Sequence, residues 1–447
     1  MPFGVYRLVS DMTWGYSLAP IWNGSFTMGN ESSPAILRTA EAPPSAEGLL
    51  LAHRSEIEPW FEARWQEVAP PFYASVDLRN ARFKLAPIDT NLFPAGFNNL
   101  RAAFHPACAR AIKREVEKLC PNARGVVVVP ENHTRNLYYF ESLASLVEIL
   151  GVAGLKVRIG SLLPDLDAPR RIGLPSGRSV TLEPFKRAGK RAGVGDFDPC
   201  FILLNNDLSA GRPAALEGLE QPVIPPLALG WSNRTKSNHF AHYRQVANEF
   251  ATFADIDPWL IDPIFRNCGC IDFQKREGED CVVSYVDEVL RTVAAKYAQY
   301  GIDRKPFVIV KADTGTYGMA IMAVASATEV RDLNRKQRTK MAHAKEGQAV
   351  TRVLVQEGVP TLETSGTPPA TAEPVIYMIG SSVVGGFYRV HPDRGPTENL
   401  NAPGMHFEGM PETGSFTEDA PPLFYGYGVV ARLALLAAAR ELQEVSP

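Results

Sequence analysis

One stretch limits the possible folds more than any other: Val308-Ile309-Val310-Lys311-Ala312-Asp313-Thr314-Gly315-Thr316-Tyr317-Gly318-Met319. A run of β-branched residues closes on a lysine. An acid follows two residues later, then a loop of mostly small residues, then a second apolar run from Ala320 to Val324. The pattern predicts two strands joined by a hairpin loop. Glycines let the backbone N–H groups of such a loop approach an anion closely. Lysine places a point charge against that anion, and a carboxylate holds magnesium, a hard cation that prefers oxygen ligands. These are the needs of ATP where a hairpin loop, not a helix, covers the phosphates. We therefore expect Lys311, Gly315, Thr316, Tyr317, Gly318 and Met319 at the nucleotide, and Asp313 at the metal. The order G-x-x-x-x-G-K-[ST] is absent, so this is no P-loop.

Composition narrows the partners. The chain has 447 residues, 45 % of them hydrophobic and 21 % charged, which is ordinary for a globular protein with a substantial core. A net charge of −3 leaves no electrostatic footprint for nucleic acid or an anionic membrane. The most apolar run, 429–439, is interrupted by Arg432 and reads as a buried helix. With no secretion signal and six cysteines that form no disulfide framework, the expectation is a cytoplasmic protein with reduced thiols. Cys268-Gly269-Cys270 lacks a second pair at ligand spacing, so zinc is not expected.

The first 48 residues read as a poorly ordered extension, with a Ser-, Pro-, Ala- and Glu-rich stretch at 30–48. Residues 77–85 alternate as a strand, 105–119 have helical spacing, 126–129 are a fully apolar strand, 137–150 a helix, and 155–159, 179–182 and 201–204 further strands. That order predicts an α/β lobe over 49–235 with a mostly parallel sheet, serving substrate. After helices at 240–254 and 282–300, strands at 307–310, 319–323, 352–356, 374–379 and 383–389 predict an antiparallel-sheet nucleotide lobe over 236–447, closed by a long helix at 427–442. Thr361 to Thr371 reads as an exposed loop.

Five further segments carry candidate chemistry. In Ile88-Asp89-Thr90-Asn91, the Asp and Asn two apart on an extended segment share a face and offer two metal-binding oxygens. An Asx-turn with a helix cap explains the same residues. Asn98 and Asn99 follow, beyond Gly96. Gln356-Glu357, at the end of an apolar strand, suits the edge and faces of an adenine ring, or is a strand edge with a solvated acid. Arg389, at a strand end, suits a bidentate grip on a carboxylate, with Asn399 and Asn401 in the loop after it; a surface ion pair is the plainer reading. Lys236, before a helix, is a second phosphate-binding cation or part of a capped helix start. Glu131, Arg135 and Asn136 follow the 126–129 strand, at the end where open α/β sheets bind ligands. No Ser/His/Asp order, H-E-x-x-H or C-x-x-C is present.

Taken together, these residues resemble the ATP-grasp superfamily, whose members form an acyl-phosphate that an amine captures. Asp89-x-Asn91 precedes Lys311, and that permuted order is similar to eukaryotic-type glutathione synthetase. Most specifically, Ile88 to Leu100 with Val308 to Met319 resembles the proteobacterial-type glutamate–cysteine ligase family, from about Glu56 to the C-terminus. The resemblance implies an ATP-grasp-like fold and ATP-dependent joining of the glutamate γ-carboxylate to cysteine, the first step of glutathione biosynthesis. It implies magnesium on Asp89, Asn91 and Asp313. It also implies catalytic roles for Lys311, Lys236 and Arg389, with Arg389 on a substrate carboxylate. Small molecules are the expected partners, with room for a homo-oligomer. The alternatives are another ligase of the same architecture and a non-catalytic nucleotide-binding regulator.

Overall fold

The structure is a computed structural model that describes residues 45–132, 136–315, 320–343, 349–411 and 422–445. Three sheets organise it. The first is antiparallel and built on the hairpin of Tyr73–Asn80 and Leu85–Asn91. Its strands run in the order His406–Gly409, Ser382–His391, Ala370–Ile379, Tyr73–Asn80, Leu85–Asn91, with Glu363–Ser365 also on the Ala370–Ile379 strand. Strands from either side of the 235/236 division thus share one sheet. Asp77 stands opposite Asp89, and Leu78 opposite Pro87, so Ile88 is an extra residue in a bulge. Bulges re-aim backbone groups, and this one matters below.

The second sheet has seven strands. Its parallel core runs Ser179–Ala188, Lys156–Ser161, Gly125–Pro130, Phe201–Asn205, Val223–Ile224, with antiparallel Arg170–Gly173 and Arg191–Val194 on Ser179–Ala188. Val126 to Val129 are wholly buried, as a parallel strand covered on both faces requires. From the Gly125–Pro130 strand the chain first builds outward on one side, then returns to lay Phe201–Asn205 on the other. That reversal opens a crevice at the strands' carboxyl ends.

The third sheet is antiparallel, in the order Phe265–Cys268, Val353–Glu357, Val308–Ala312, Ile321–Val324. Helix Glu279–Gln299 covers one face, where Val282, Val286, Val289 and Val293 join Val308, Val310, Val353 and Val355 in one apolar cluster. Ile309, Lys311 and Gln356 alternate to the opposite face.

Helix Pro422–Val445 is buried along Val429 to Ala439 and contacts helices Lys236–Ala254 and Ala46–Ala52. The latter helix crosses the expected end of the extension at residue 48 and buries Ala46 and Leu50. The expected loop at 361–371 holds the short strand Glu363–Ser365, which turns back onto Ala370–Ala372. A Pro- and Thr-rich composition hides so short a pairing. Among the described residues no helix is long and apolar enough to cross a membrane. All six cysteines are free thiols.

Candidate active site

A cavity of about 860 Å³ takes wall residues from all three sheets, a size typical of ligand sites. Its cationic end is built by two lysines that converge on the Leu85–Asn91 strand. Lys236 Nζ donates to both carboxylate oxygens of Asp89, at 2.9 and 3.1 Å. Lys311 Nζ donates to the carbonyl of Ile88 at 2.6 Å, the group that the bulge frees from the ladder. Burial works against a charged Asp89, but Lys236 and Lys311 outweigh it and hold the carboxyl at about 2. Burial lowers Lys311 to about 8, although Asp89 pulls the other way. Lys236 lies over the Trp231 ring at 4.2 Å, and Lys311 over Phe240 at 5.3 Å.

The turn before helix Lys236–Ala254 organises this end. Thr235 caps the helix, its hydroxyl accepting from Asn238 N–H. Both oxygens of Asp313 accept from Ser237, one from the backbone N–H and one from the hydroxyl, each at 2.7 Å. Arg234 donates to the Thr90 carbonyl at 2.6 Å and grips Glu441 at 2.8 and 3.0 Å. Glu441 also bonds His239. One turn of chain thus ties the Asp89 strand, the end of the Lys311 strand and the C-terminal helix together.

The floor is one face of the first sheet. Arg389 Nη1 donates to Asp77 at 3.0 Å and to Glu373. Arg79 Nε holds Glu373 at 3.0 Å, while its Nη atoms reach the carbonyls of Pro396 and Glu398 at 2.9 and 2.6 Å, fixing the loop that carries Asn399 and Asn401. Burial would raise the Glu373 carboxyl, but Arg79 and Arg389 keep it lowered. Asp77 is raised by burial, which Arg389 opposes. The Nε of Arg389 is buried without a hydrogen-bond partner.

The far end lies in the crevice of the parallel sheet. Glu131 accepts from Asp207 N–H at 3.1 Å, Tyr139 donates to the Asn205 carbonyl at 2.8 Å, and Ser142 accepts from Gly96 N–H at 2.7 Å. Asn98, Asn99 and Asn136 complete this wall.

Most residues singled out by sequence meet here: Asp89, Asn91, Asn98, Asn99, Glu131, Asn136, Lys236, Lys311, Gly315, Gln356, Glu357, Arg389, Asn399 and Asn401 all line the cavity. Arg135, Thr316, Tyr317, Gly318 and Met319 lie outside the described residues. Two side chains sit differently from expectation. Asp313 is fully buried, its carboxylate on the Ser237 N–H and hydroxyl, and is not in the cavity wall. The Glu357 carboxylate is saturated by Lys84, Trp259 Nε1 and Ile264 N–H, each at 3.0 Å, so only the rest of the residue serves the cavity. Among the described residues no group of three or more His, Cys, Asp or Glu is set to hold a metal. The Asp89 carboxylate is paired with Lys236, and the Asn91 Oδ1 accepts from Phe93 N–H at 3.0 Å.

Sequence reading missed Asp77, Arg79, Glu373, Tyr139, Ser142, Asn205 and Asp207. Period-two alternation of charge, as in Asp77 and Arg79, was the available signal for the floor. Asn205-Asn206-Asp207, ending an apolar strand, was the signal for the crevice.

The cavity thus has two lysines at one end and acids and amides at the other. The family model for glutamate–cysteine ligase (GshA) matches residues 47–442, so the chain belongs to the glutamate–cysteine ligase family. It is an ATP-dependent enzyme that joins glutamate to cysteine. A crystal structure from Methylobacillus flagellatus KT, whose protein bears the provisional name gamma-glutamylcysteine synthetase, is 52 % identical. It superposes with a TM-score of 0.82, covering 93 % of this chain and 100 % of that one. A glutathione synthetase-like effector from Globodera pallida is 10 % identical with a TM-score of 0.32, covering 77 % of each chain. That likeness is too slight to weigh. Among curated proteins none matches.

Proposed function

We propose that the enzyme activates the γ-carboxylate of glutamate as an acyl-phosphate, which the cysteine amine then captures to give γ-glutamylcysteine. The observation that carries this is the convergence of Lys236 and Lys311 on Asp89 and Ile88 within one cavity. The nucleotide lies along the third sheet, its base near Ile309 and Gln356 and its phosphates toward the lysines. Lys311 and Lys236 hold the transferring phosphoryl oxygens, where preorganised cations stabilise developing charge. Asp89 and Asn91 would hold magnesium, which would supply further charge neutralisation at the phosphates. The floor guanidinium of Arg389, already steadied by Asp77 and Glu373, uses its remaining N–H groups on a substrate carboxylate. The amino acids occupy the crevice lined by Glu131, Asn136, Asn98 and Asn99. Chemistry then follows from positioning, and no protein nucleophile is required. The reading includes a cytoplasmic enzyme, which its free thiols support.

ADP release coupled to a spectrophotometric readout, with glutamate and cysteine omitted in turn, tests this reading. Release requiring both amino acids is expected. ADP release unstimulated by either would leave a nucleotide hydrolase or binder. Replacing Lys311 with Met should raise the KM for ATP about tenfold or more, the scale of one charge-assisted contact, with the KM for cysteine little changed. An unaltered KM for ATP would remove Lys311 from the phosphates.

A further inference from the structure

The floor of the cavity ends on an open aromatic ring. Phe407, in the edge strand His406–Gly409, is 39 % exposed and lines the cavity. Cross-strand register puts it opposite Arg389, on the same face of the first sheet. Glu373 stands opposite Arg389 on the other side. One row of the floor therefore reads ring, guanidinium, carboxylate. In the next row Phe387 stands opposite Val375, and both line the cavity. The Phe387 and Phe407 rings meet edge to face, with centroids 5.2 Å apart. Arg389 is thus bordered by two acids that it grips, Asp77 and Glu373, and by an apolar margin beside them. Aromatic surface left open inside a cavity is surface that a ligand covers.

The strand that carries the ring is fixed. The carbonyl of Gly409 accepts from Arg101 Nε at 3.1 Å, and a Cβ at Gly409 would lie 2.6 Å from the Arg101 side chain. Arg101 thereby pins the edge strand to the segment that holds Asn98 and Asn99. On the neighbouring strand, a Cβ at Gly386 would lie 2.8 Å from the Met410 sulfur. The edge strand is therefore seated from both flanks, and Phe407 is presented on a fixed support, as specific recognition requires.

We propose that Phe407 selects the amino acid that supplies the amine, with the carboxylate of cysteine on Arg389 and its thiol against the Phe407 ring. This rests on the ligase reading above and divides the two amino acids between parts of one cavity. An α-amino acid gripped by its carboxylate at Arg389 has two other groups to place. Its ammonium goes toward the acids Asp77 and Glu373. Asp77 stands opposite Asp89, so the amine lies toward the lysines, where the acyl-phosphate forms. Its side chain is left to the apolar margin. A thiol suits that margin because it is neutral and behaves as a small, polarisable hydrophobe. A hydroxyl in the same place loses water and gains no partner. A carboxylate would lose more, which leaves glutamate the polar wall of Glu131, Asn136, Asn98 and Asn99.

The experiment compares kcat/KM for L-cysteine with that for L-serine, which differs only in oxygen for sulfur, by ADP release at saturating ATP and glutamate. The unmodified enzyme should prefer cysteine by about 100-fold. In Phe407→Ser that preference should fall about tenfold, through the KM for cysteine, while the KM values for ATP and glutamate hold. Phe407→Leu, which keeps an apolar wall, should retain most of the preference. An unmodified enzyme that uses both acceptors equally would overturn the proposal before any variant is made. So would a Phe407→Ser enzyme that keeps the full preference, or a Phe407→Leu enzyme that falls as far as Phe407→Ser. A rise in all three KM values together would also overturn it, since a merely structural role loosens the whole site. Failure of the functional reading is a different result: no ADP release from ATP by the unmodified enzyme with glutamate and cysteine together.

Discussion

Asp89→Ala should abolish ligation, lowering kcat/KM by about 10³-fold, the scale for removing a preorganised charge at a reacting phosphoryl group, while the circular dichroism spectrum stays that of the unmodified protein. The reason lies in what Asp89 holds apart. Lys236 donates to both of its oxygens, and Lys311 reaches the carbonyl one residue earlier. Without the carboxylate, two ammonium groups share the cavity end with no anion between them, and their spacing is lost before the phosphates arrive. The magnesium proposed for Asp89 and Asn91 would lose its only carboxylate in that pair. Asp89→Asn should fall nearly as far, because the amide keeps the shape and gives up the charge. Steady-state ADP release with both amino acids is the measurement. A variant within threefold of full activity would remove Asp89 from the chemistry.

Arg234→Met should destabilise the fold by about 3–5 kcal/mol, since it leaves the buried Glu441 carboxylate with His239 alone and no guanidinium against it. The side chains of Arg234 and Glu441 are each 2 % exposed. Replacing both with methionine should recover most of the loss, because removing a buried pair together costs little. The midpoint of urea unfolding, with its slope, reports both. Activity should fall as well, since Arg234 holds the Thr90 carbonyl between Asp89 and Asn91.

The same pair sets an acid dependence. Burial alone would raise the Glu441 carboxyl, but Arg234 and His239 hold it at about 2 against an ordinary 4.5. A carboxyl lowered in the folded state stabilises above its unfolded value and loses that contribution as protons are taken up. Stability from Glu441, about 3 kcal/mol by linkage, is therefore complete above about pH 4.5 and drains away as pH falls toward 2. Glu441→Gln should flatten that limb of the stability curve. An unchanged limb would mean that other carboxyls dominate acid unfolding.

Much of the fold was legible because its elements have strong local signatures. Helix His105–Leu119 follows its apolar spacing, and Val126 to Val129 is a parallel strand because nothing in it tolerates water. The strand lysine and the Asp-x-Asn pair stood out in the same way, through residue types at short spacing, and the fold brings Lys311, Asp89 and Asn91 to one cavity. Asp313 shows the limit of that method. Two residues beyond a strand lysine it reads as a metal ligand, and nothing local announces that its carboxylate meets Ser237, 76 positions earlier.

Residue type and short-range order alone determined which segments are strands and helices, and singled out a lysine, a carboxylate and an amide on extended chain that the fold brings to one cavity. Tertiary structure alone decided which groups answer one another. Asp77 faces Asp89 through a register with one bulged residue, Glu373 holds Arg79 across 294 positions, and Glu441 reaches Arg234 across 207. Such partners leave no local trace, because each is set by how sheets pair and how the C-terminal helix is buried, and the free energy that selects them belongs to the whole core and not to either segment.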